Sequence, residues 1–265
     1  MAKAGKDTKT IARGGKRTGG GIRWRLWGGL AGAGVLCVST AVAARRVHQY
    51  VTADPQFTLS RENPAALRCE GLRYTASAKV ERVFAGDFER SIFAMPLAER
   101  RRRLLAIDWV EDASVSRVWP DRLLVRIRER RPVAFVNLRS GPLLIDAQGV
   151  LLEPPAGTRF PLPVLSGVSE EVPETRRAGQ VRAMLGLLGA LADKGRDVSE
   201  VNASDPANLR LIAQIGGRAV ELHMGDRNYS PRYANFLNHY PEIHRRSPAV
   251  KIFDLRLDDR ILAKE

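Results

Sequence analysis

Apolar and polar residues alternate strictly from Val125 to Arg128, with Val125 and Ile127 set against Arg126 and Arg128. A period of two predicts a strand with one apolar face; a helix would scatter those arginines around its circumference. Upstream, Ala113, Val115 and Arg117 are predicted on one face of a second strand, with Ser114, Ser116 and Val118 on the other. Trp119-Pro120-Asp121-Arg122 between them reads as a turn, because proline pre-sets its angle and aspartate bonds back to the backbone. Earlier still the spacing is helical. Val80, Val83 and Phe84 recur after Ser77, a candidate N-cap, and before Gly86, a candidate stop. Pro96 opens a second helix, with Leu97, Leu104 and Leu105 on one face and Arg100–Arg103 on a solvated one. With a strand over 66–74, residues 62–131 predict a β-α-α-β-β module, and Pro132 marks its boundary.

The remaining residues, 132–265, predict a mixed β domain with flanking helices. Strands are expected at "VAFVNL", "PLLIDAQGVLLE", "VSEVNAS", "NLRLIAQI" and, across Gly216-Gly217, "RAVELHM". "FPLPVLSG" reads as extended. Residues 177–194 place Val181, Met184, Leu185, Leu188 and Leu191 on a helical stripe read as core. A last helix is expected with Ser230 as N-cap, Pro231 at the first helical position and Tyr233, Phe236, Leu237 and Tyr240 inward. "VKIFDLRLDD" closes as a strand, with Phe253, Leu255 and Leu257 on one face and Asp254 and Arg256 on the other. The fold class is therefore α+β.

Charge changes the picture at the N-terminus. The chain has 265 residues and a formal net charge of +14, but residues 1–25 hold eight basic side chains against Asp7 alone. Residues 47–265 carry 33 basic against 28 acidic residues, an ordinary balance that does not mark a nucleic-acid binder. Between tail and bulk lies Leu26 to Ala44, 19 residues without a charge. As a helix they reach about 28 Å, close to the hydrocarbon thickness. Trp24 and Trp27 sit at the edge, where indoles favour the interface, and the basic tail assigns itself to the cytoplasm. A signal peptide cleaved near Ala41-Val42-Ala43 is the alternative; the long basic n-region and long apolar run favour a retained anchor. Gly28 and Gly32 form a GxxxG able to pack a second helix. The expected organisation is a cytoplasmic tail (1–25), a membrane helix (26–44), a linker (45–61), the mixed module (62–131) and the β domain (132–265).

Little in the chain points to catalysis. His239 and His244 are five apart with Pro241 between, no G-x-S-x-G surrounds a serine, and Asp258-Asp259 point apart in a strand. Cys37 and Cys69 fall on different sides of the expected membrane boundary, so no disulfide framework is expected. No enzyme activity, cofactor or metal is expected; function should lie in surfaces.

Taken together, "WVEDASVSRVWPDRLLVRIRERRPVAF", "LLIDAQGVLLE", "LPVLSG" and "FDLRLDD" resemble the bacterial division family FtsQ/DivIB. The resemblance implies a short cytoplasmic tail, one inner-membrane helix, a periplasmic POTRA domain and a C-terminal β domain. POTRA domains also occur in outer-membrane assembly proteins and secretion pores, the alternative reading; the β domain and single anchor favour division. The family likeness implies a non-enzymatic scaffold at the septum that binds FtsB and FtsL. It further implies a recruitment surface at Val115 and Arg117, and partner binding at Glu129 and along Phe253, Asp254, Leu255, Arg256, Leu257, Asp258 and Asp259. At Leu257 the chain departs from well-known members, which carry an aromatic there. The last strand of an open sheet offers unpaired backbone groups, an independent reason to look at this segment.

Overall fold

A computed structural model describes residues 21–264, with side chains from Ala33 onward. Helix α1 (Gly21–Ala53) leads into the first folded unit. It contains the expected membrane span Leu26–Ala44, but the side chains of 26–32, Gly28 and Gly32 among them, lie outside the described residues, as does the tail 1–20. Among the described residues no helix is long and apolar enough to cross a membrane.

The first unit runs β1 (Leu67–Glu70), α2 (Ser77–Val83), α3 (Leu97–Leu105), β2 (Val110–Val118) and β3 (Arg122–Glu129). Its sheet has the order β1-β3-β2, so β3 is central, parallel to β1 and antiparallel to β2. The period-two pattern explains that position. Leu123, Val125 and Ile127 are buried against Val80, Phe84 and Leu104 of the helices, while Arg126 and Arg128 point into solvent.

Two local expectations fail here. Ser77 is the first helical residue and Ala76 stands at the N-cap with no side-chain bond, so that end goes uncapped. Nor are the four arginines of α3 one solvated face. Arg100 is buried, and its guanidinium grips the fully buried Asp87, with Nη2 2.8 Å from Oδ1. Arg101 donates to the Ala113 carbonyl at 2.7 Å and to Asp112 at 2.8 Å, tying α3 to β2. Burying a charge costs several kcal/mol unless it is paired and hydrogen-bonded in this way.

The second unit is a nine-stranded sheet. It comprises β4 (Pro132–Leu138), β5 (Gly141–Asp146), β6 (Leu151–Leu152), β7 (Val164–Ser166), β8 (Val198–Asn202), β9 (Leu209–Ile215), β10 (Arg218–Gly225), β11 (Ile252–Asp254) and β12 (Leu262–Lys264). Their order is β12-β11-β10-β9-β8-β7-β4-β5-β6. Helix α4 (Glu174–Leu191) is the crossover between the parallel strands β7 and β8, and α5 (Tyr229–Arg246) that between β10 and β11. Both helices share one buried cluster with the strands, which includes Val181, Met184, Leu187, Tyr233 and Phe236. Leu187 takes the place expected for Leu185, which is exposed: the buried stripe advances from Met184 by three residues, not one.

Helix α5 begins at Tyr229 and not after Ser230, because Asn228 adopts a left-handed φ of 55° and turns the chain one residue earlier. It continues through Pro241, so His239 and His244 lie on one helix but, five residues apart, on different faces. The largest difference is at the C-terminal segment. β11 stops at Asp254, the chain turns, and β12 returns antiparallel to it, pairing Ile252 with Lys264 and Asp254 with Leu262. "VKIFDLRLDD" is therefore half strand and half turn; Phe253 and Leu255 are core, and Asp254 is buried with them.

The Arg100–Asp87 pair tests this core. Asp87→Ala leaves the buried guanidinium of Arg100 with only the longer contact to Glu99, at 3.3 Å, and should cost about 3 kcal/mol. Urea unfolding of the D87A variant, followed by the near-UV signal, measures it.

Candidate partner-binding sites

Glu129 ends β3 at the junction of the two units. Its carboxylate accepts hydrogen bonds from three successive backbone N–H groups: Arg73 at 3.1 Å, Tyr74 at 2.9 Å and Thr75 at 2.7 Å. Burial alone would raise its pKa, but these bonds, with Thr75 foremost, outweigh burial and hold it below the ordinary value. The loop can approach because of Gly71: at φ 86° its backbone passes so near β3 that a Cβ would lie 2.0 Å from the Ile127 carbonyl oxygen.

The next residue faces the other way, as consecutive residues in extended chain do. Arg130 donates to Asp146 at 2.8 Å, and Asp146 in turn holds the β5–β6 turn through the N–H groups of Gln148 and Val150. Beside them Trp109, Tyr74 and Phe160 stack within 6.3 Å, packed with Leu144 and Leu152, and the Trp109 indole donates to the Glu153 carbonyl. Glu129 and Arg130 thus clamp one unit each. The Glu129 carboxylate is turned into the junction, not out to solvent.

Of the two residues expected to form a recruitment surface, Val115 is half-buried on β2. Arg117 is exposed along its stem, but its guanidinium is engaged: it donates to the carbonyls of Ile92 at 2.6 Å and Met95 at 2.9 Å, over the Phe93 ring.

The C-terminal candidates separate into three groups. Phe253 and Leu255 are core, Phe253 against Phe236 and Tyr240. Asp254 is buried and gripped by Arg256, at 2.9 and 2.6 Å, with Lys264 of β12 at 3.3 Å. The Arg256 bonds hold its carboxyl far below the usual range. Leu257, Asp258 and Asp259 lie exposed in the turn. Asp258 is held by Arg232, at 2.6 Å, and Asn228; among the described residues Asp259 pairs with its neighbour Arg260.

Two features escaped the sequence reading. One is Arg232, buried on α5, which donates to Asp258 and to the carbonyls of Met224 and Arg256, at 2.8 and 2.7 Å. Its signal was present: it lies four residues before Phe236, on the apolar stripe. The other is β12. Leu262, Ala263 and Lys264 are all exposed, and among the described residues they form the edge of the sheet next to that turn. A three-residue strand has too few positions for its alternation to be seen. Among the described residues no group of three His, Cys, Asp or Glu side chains could hold a metal ion.

A β-α-α-β-β module clamped to a β domain with an open edge defines a POTRA-bearing, two-domain protein of the α+β class. Residues 63–130 match the family described as POTRA domain, FtsQ-type, and residues 134–256 match the family Cell division protein FtsQ/DivIB, C-terminal. The chain belongs to the FtsQ/DivIB family of cell division proteins. It is similar to the cell division protein FtsQ of Koribacter versatilis, with 34% identity over 76% of this chain and 60% of that protein. FtsQ of Syntrophotalea carbinolica is 31% identical over 66% of this chain and 64% of its own length, and FtsQ of Shewanella oneidensis 25% identical over 89% and 85%. The chain thus spans less than two thirds of the length of the first two relatives. The major extracytoplasmic domain of the division protein DivIB of Geobacillus stearothermophilus is 21% identical over 45% of this chain and 95% of that one, with a TM-score of only 0.25.

The Glu129 clamp makes stability depend on pH. Because its folded pKa lies below the unfolded value near 4.3, its contribution is complete above about pH 4.5 and is lost as pH falls through the folded pKa. Glu129→Gln, which replaces charge-assisted bonds by neutral ones, should cost about 1–3 kcal/mol at neutral pH. Melting temperatures between pH 3 and pH 7 should converge with those of the parent on the acid side.

Proposed function

We propose that this protein is a non-enzymatic scaffold of the bacterial division machinery, anchored in the inner membrane by Leu26–Ala44, with its two folded domains in the periplasm at the septum. The observation that carries this reading is the consecutive match of both FtsQ-type domains over residues 63–130 and 134–256. The anchor is supported by an uncharged run inside one continuous helix, along which Val35, Leu36, Val38 and Val42 are exposed with no protein surface over them. The eight basic residues of the tail favour its retention in the cytoplasm.

The partners are FtsB- and FtsL-like proteins, and the docking site is the β12 edge together with the turn Arg256–Asp259. The family resemblance implies partner binding at Glu129 and along Phe253–Asp259. In the folded chain Asp254 and Leu255 face inward and β11 is paired on both sides, so the backbone open to an incoming strand is that of Leu262–Lys264. Exposed Leu257 offers an apolar contact beside it, and Asp258, Asp259 and Arg260 tune which partner fits.

A fluorescent fusion should concentrate at mid-cell, and FtsB- and FtsL-like proteins should co-purify with the chain. A proline scan over Leu262, Ala263 and Lys264 examines the edge. Proline at a position whose N–H faces away from β11 should weaken capture about tenfold or more, with melting unchanged. Full capture by all three variants removes β12 as the docking edge. Leu255→Pro is unsuitable, since its N–H is bonded to the His223 carbonyl inside the sheet.

A further inference from the structure

The end of α1 is bolted to the first folded unit. The Ser91 hydroxyl donates to the Val51 carbonyl at 2.6 Å, and the Gln56 amide donates to the Tyr50 hydroxyl at 2.8 Å. Asp54 caps the short turn that follows by accepting from the Gln56 N–H at 2.9 Å. Phe57 is the hub of this joint. It is buried, and its ring meets Tyr50 of α1 at 5.9 Å, Phe93 at 5.3 Å and Trp119 at 6.1 Å.

Trp119 occupies the tip of the β2–β3 hairpin and is 67% exposed; Tyr50 is 56% exposed. A folded chain seldom spends an indole on water. Two exposed aromatics from different elements are held here on either side of one buried ring.

Their position indicates what they face. Tyr50 lies six residues beyond Ala44, where the uncharged run ends, a rise of about 9 Å along the helix. The headgroup layer on each side of a bilayer is about 5–8 Å thick, and because helical side chains lean toward the helix N-terminus the Tyr50 ring reaches back from that height to the outer part of the layer. Arg45 and Arg46, directly after the run, mark the same level. Tryptophan and tyrosine favour this layer because the ring is apolar while the N–H or O–H stays wet. Beside the two aromatics Asp54 and Asp121 balance Arg117 and Arg122, so net positive charge does not drive the contact.

We propose that the β2–β3 hairpin tip, Trp119-Pro120 with Tyr50 beside it, rests in the headgroup layer of the membrane that α1 crosses. The inference rests on reading α1 as an anchor. It gives the POTRA domain a second point of contact with the bilayer and so fixes its tilt.

The test uses the purified full-length chain in nanodiscs of phosphatidylethanolamine and phosphatidylglycerol. Trp24→Phe and Trp27→Phe remove the other indoles near the membrane. Comparison with the same chain also carrying Trp119→Phe isolates the Trp119 emission, since Trp109 is buried and common to both. The Trp119 component should be blue-shifted, should lose most of its intensity to lipids bearing a shallow nitroxide, and should resist aqueous iodide. It should behave the same in phosphatidylcholine discs and in high salt, because the rings and not charge make the contact. Emission typical of water, quenched by iodide and untouched by the nitroxide, overturns the proposal; shielding that appears only when a protein partner is added overturns it in favour of a protein contact. Alkaline carbonate extraction of native membranes separates this failure from that of the anchor. A chain that resists extraction while Trp119 stays wet keeps the anchor and loses the tip; a chain that is extracted loses both.

Discussion

The two folded units hold one arrangement because neighbouring residues of opposite charge at the end of β3 reach in opposite directions. Glu129 turns back and satisfies three N–H groups of the loop after β1; Arg130 turns forward and reaches the carboxylate that shapes the β5–β6 turn. Glu129 is the last residue of the central strand of the first sheet, and Arg130 follows it directly. The β3 register therefore controls the junction as well as the first core. A one-residue slip would turn Val125 and Ile127 outward and bring either Arg130, which has no acceptor, against the three N–H groups or Glu129 against Asp146. The aromatic cluster around Trp109 then closes a surface whose position those two residues have already set.

How much of this was legible depended on the length of each pattern. β3 and the β9–β10 hairpin were readable because apolar residues alternate over enough positions to exclude a helix, and the hairpin glycines mark its turn. The β11–β12 return was not, because three residues of strand on either side of a charged turn look the same as one continuous strand. What this hides is the exposed edge Leu262–Lys264, which lies beyond the segment that the family resemblance singles out. Helix starts at Ser77 and Ser230 were misjudged for a different reason: a good capping side chain is a local preference, and the incoming chain direction outweighed it.

The buried arginines show a signal that was present and unread. Arg100, Arg177 and Arg232 each lie four residues before a buried apolar side chain, Leu104, Val181 and Phe236, on the stripe that faces the core. A charge there contradicts amphipathic patterning unless it is paired, and in all three cases it is. Arg100 meets Asp87; Arg177 donates to the carbonyls of Gly149 and Val172; Arg232 joins Asp258 to two carbonyls. Reading α3 as one solvated arginine face missed this, since Arg100 lies on the stripe that Leu104 defines. Each of the three pins irregular chain to a helix: the segment before α3, the loop before α4, and the turn between β11 and β12.

The shortness of β12 has a consequence for assembly. A strand of three residues can exchange only a few backbone hydrogen bonds with a newcomer, each worth about 1 kcal/mol net. Such an edge is too short to hold a chain by backbone alone, or to template the open-ended stacking that long bare edges invite. In the proposed docking, discrimination would pass to the side chains around it and release would stay fast. A contact of that kind can be made and unmade within each round of growth.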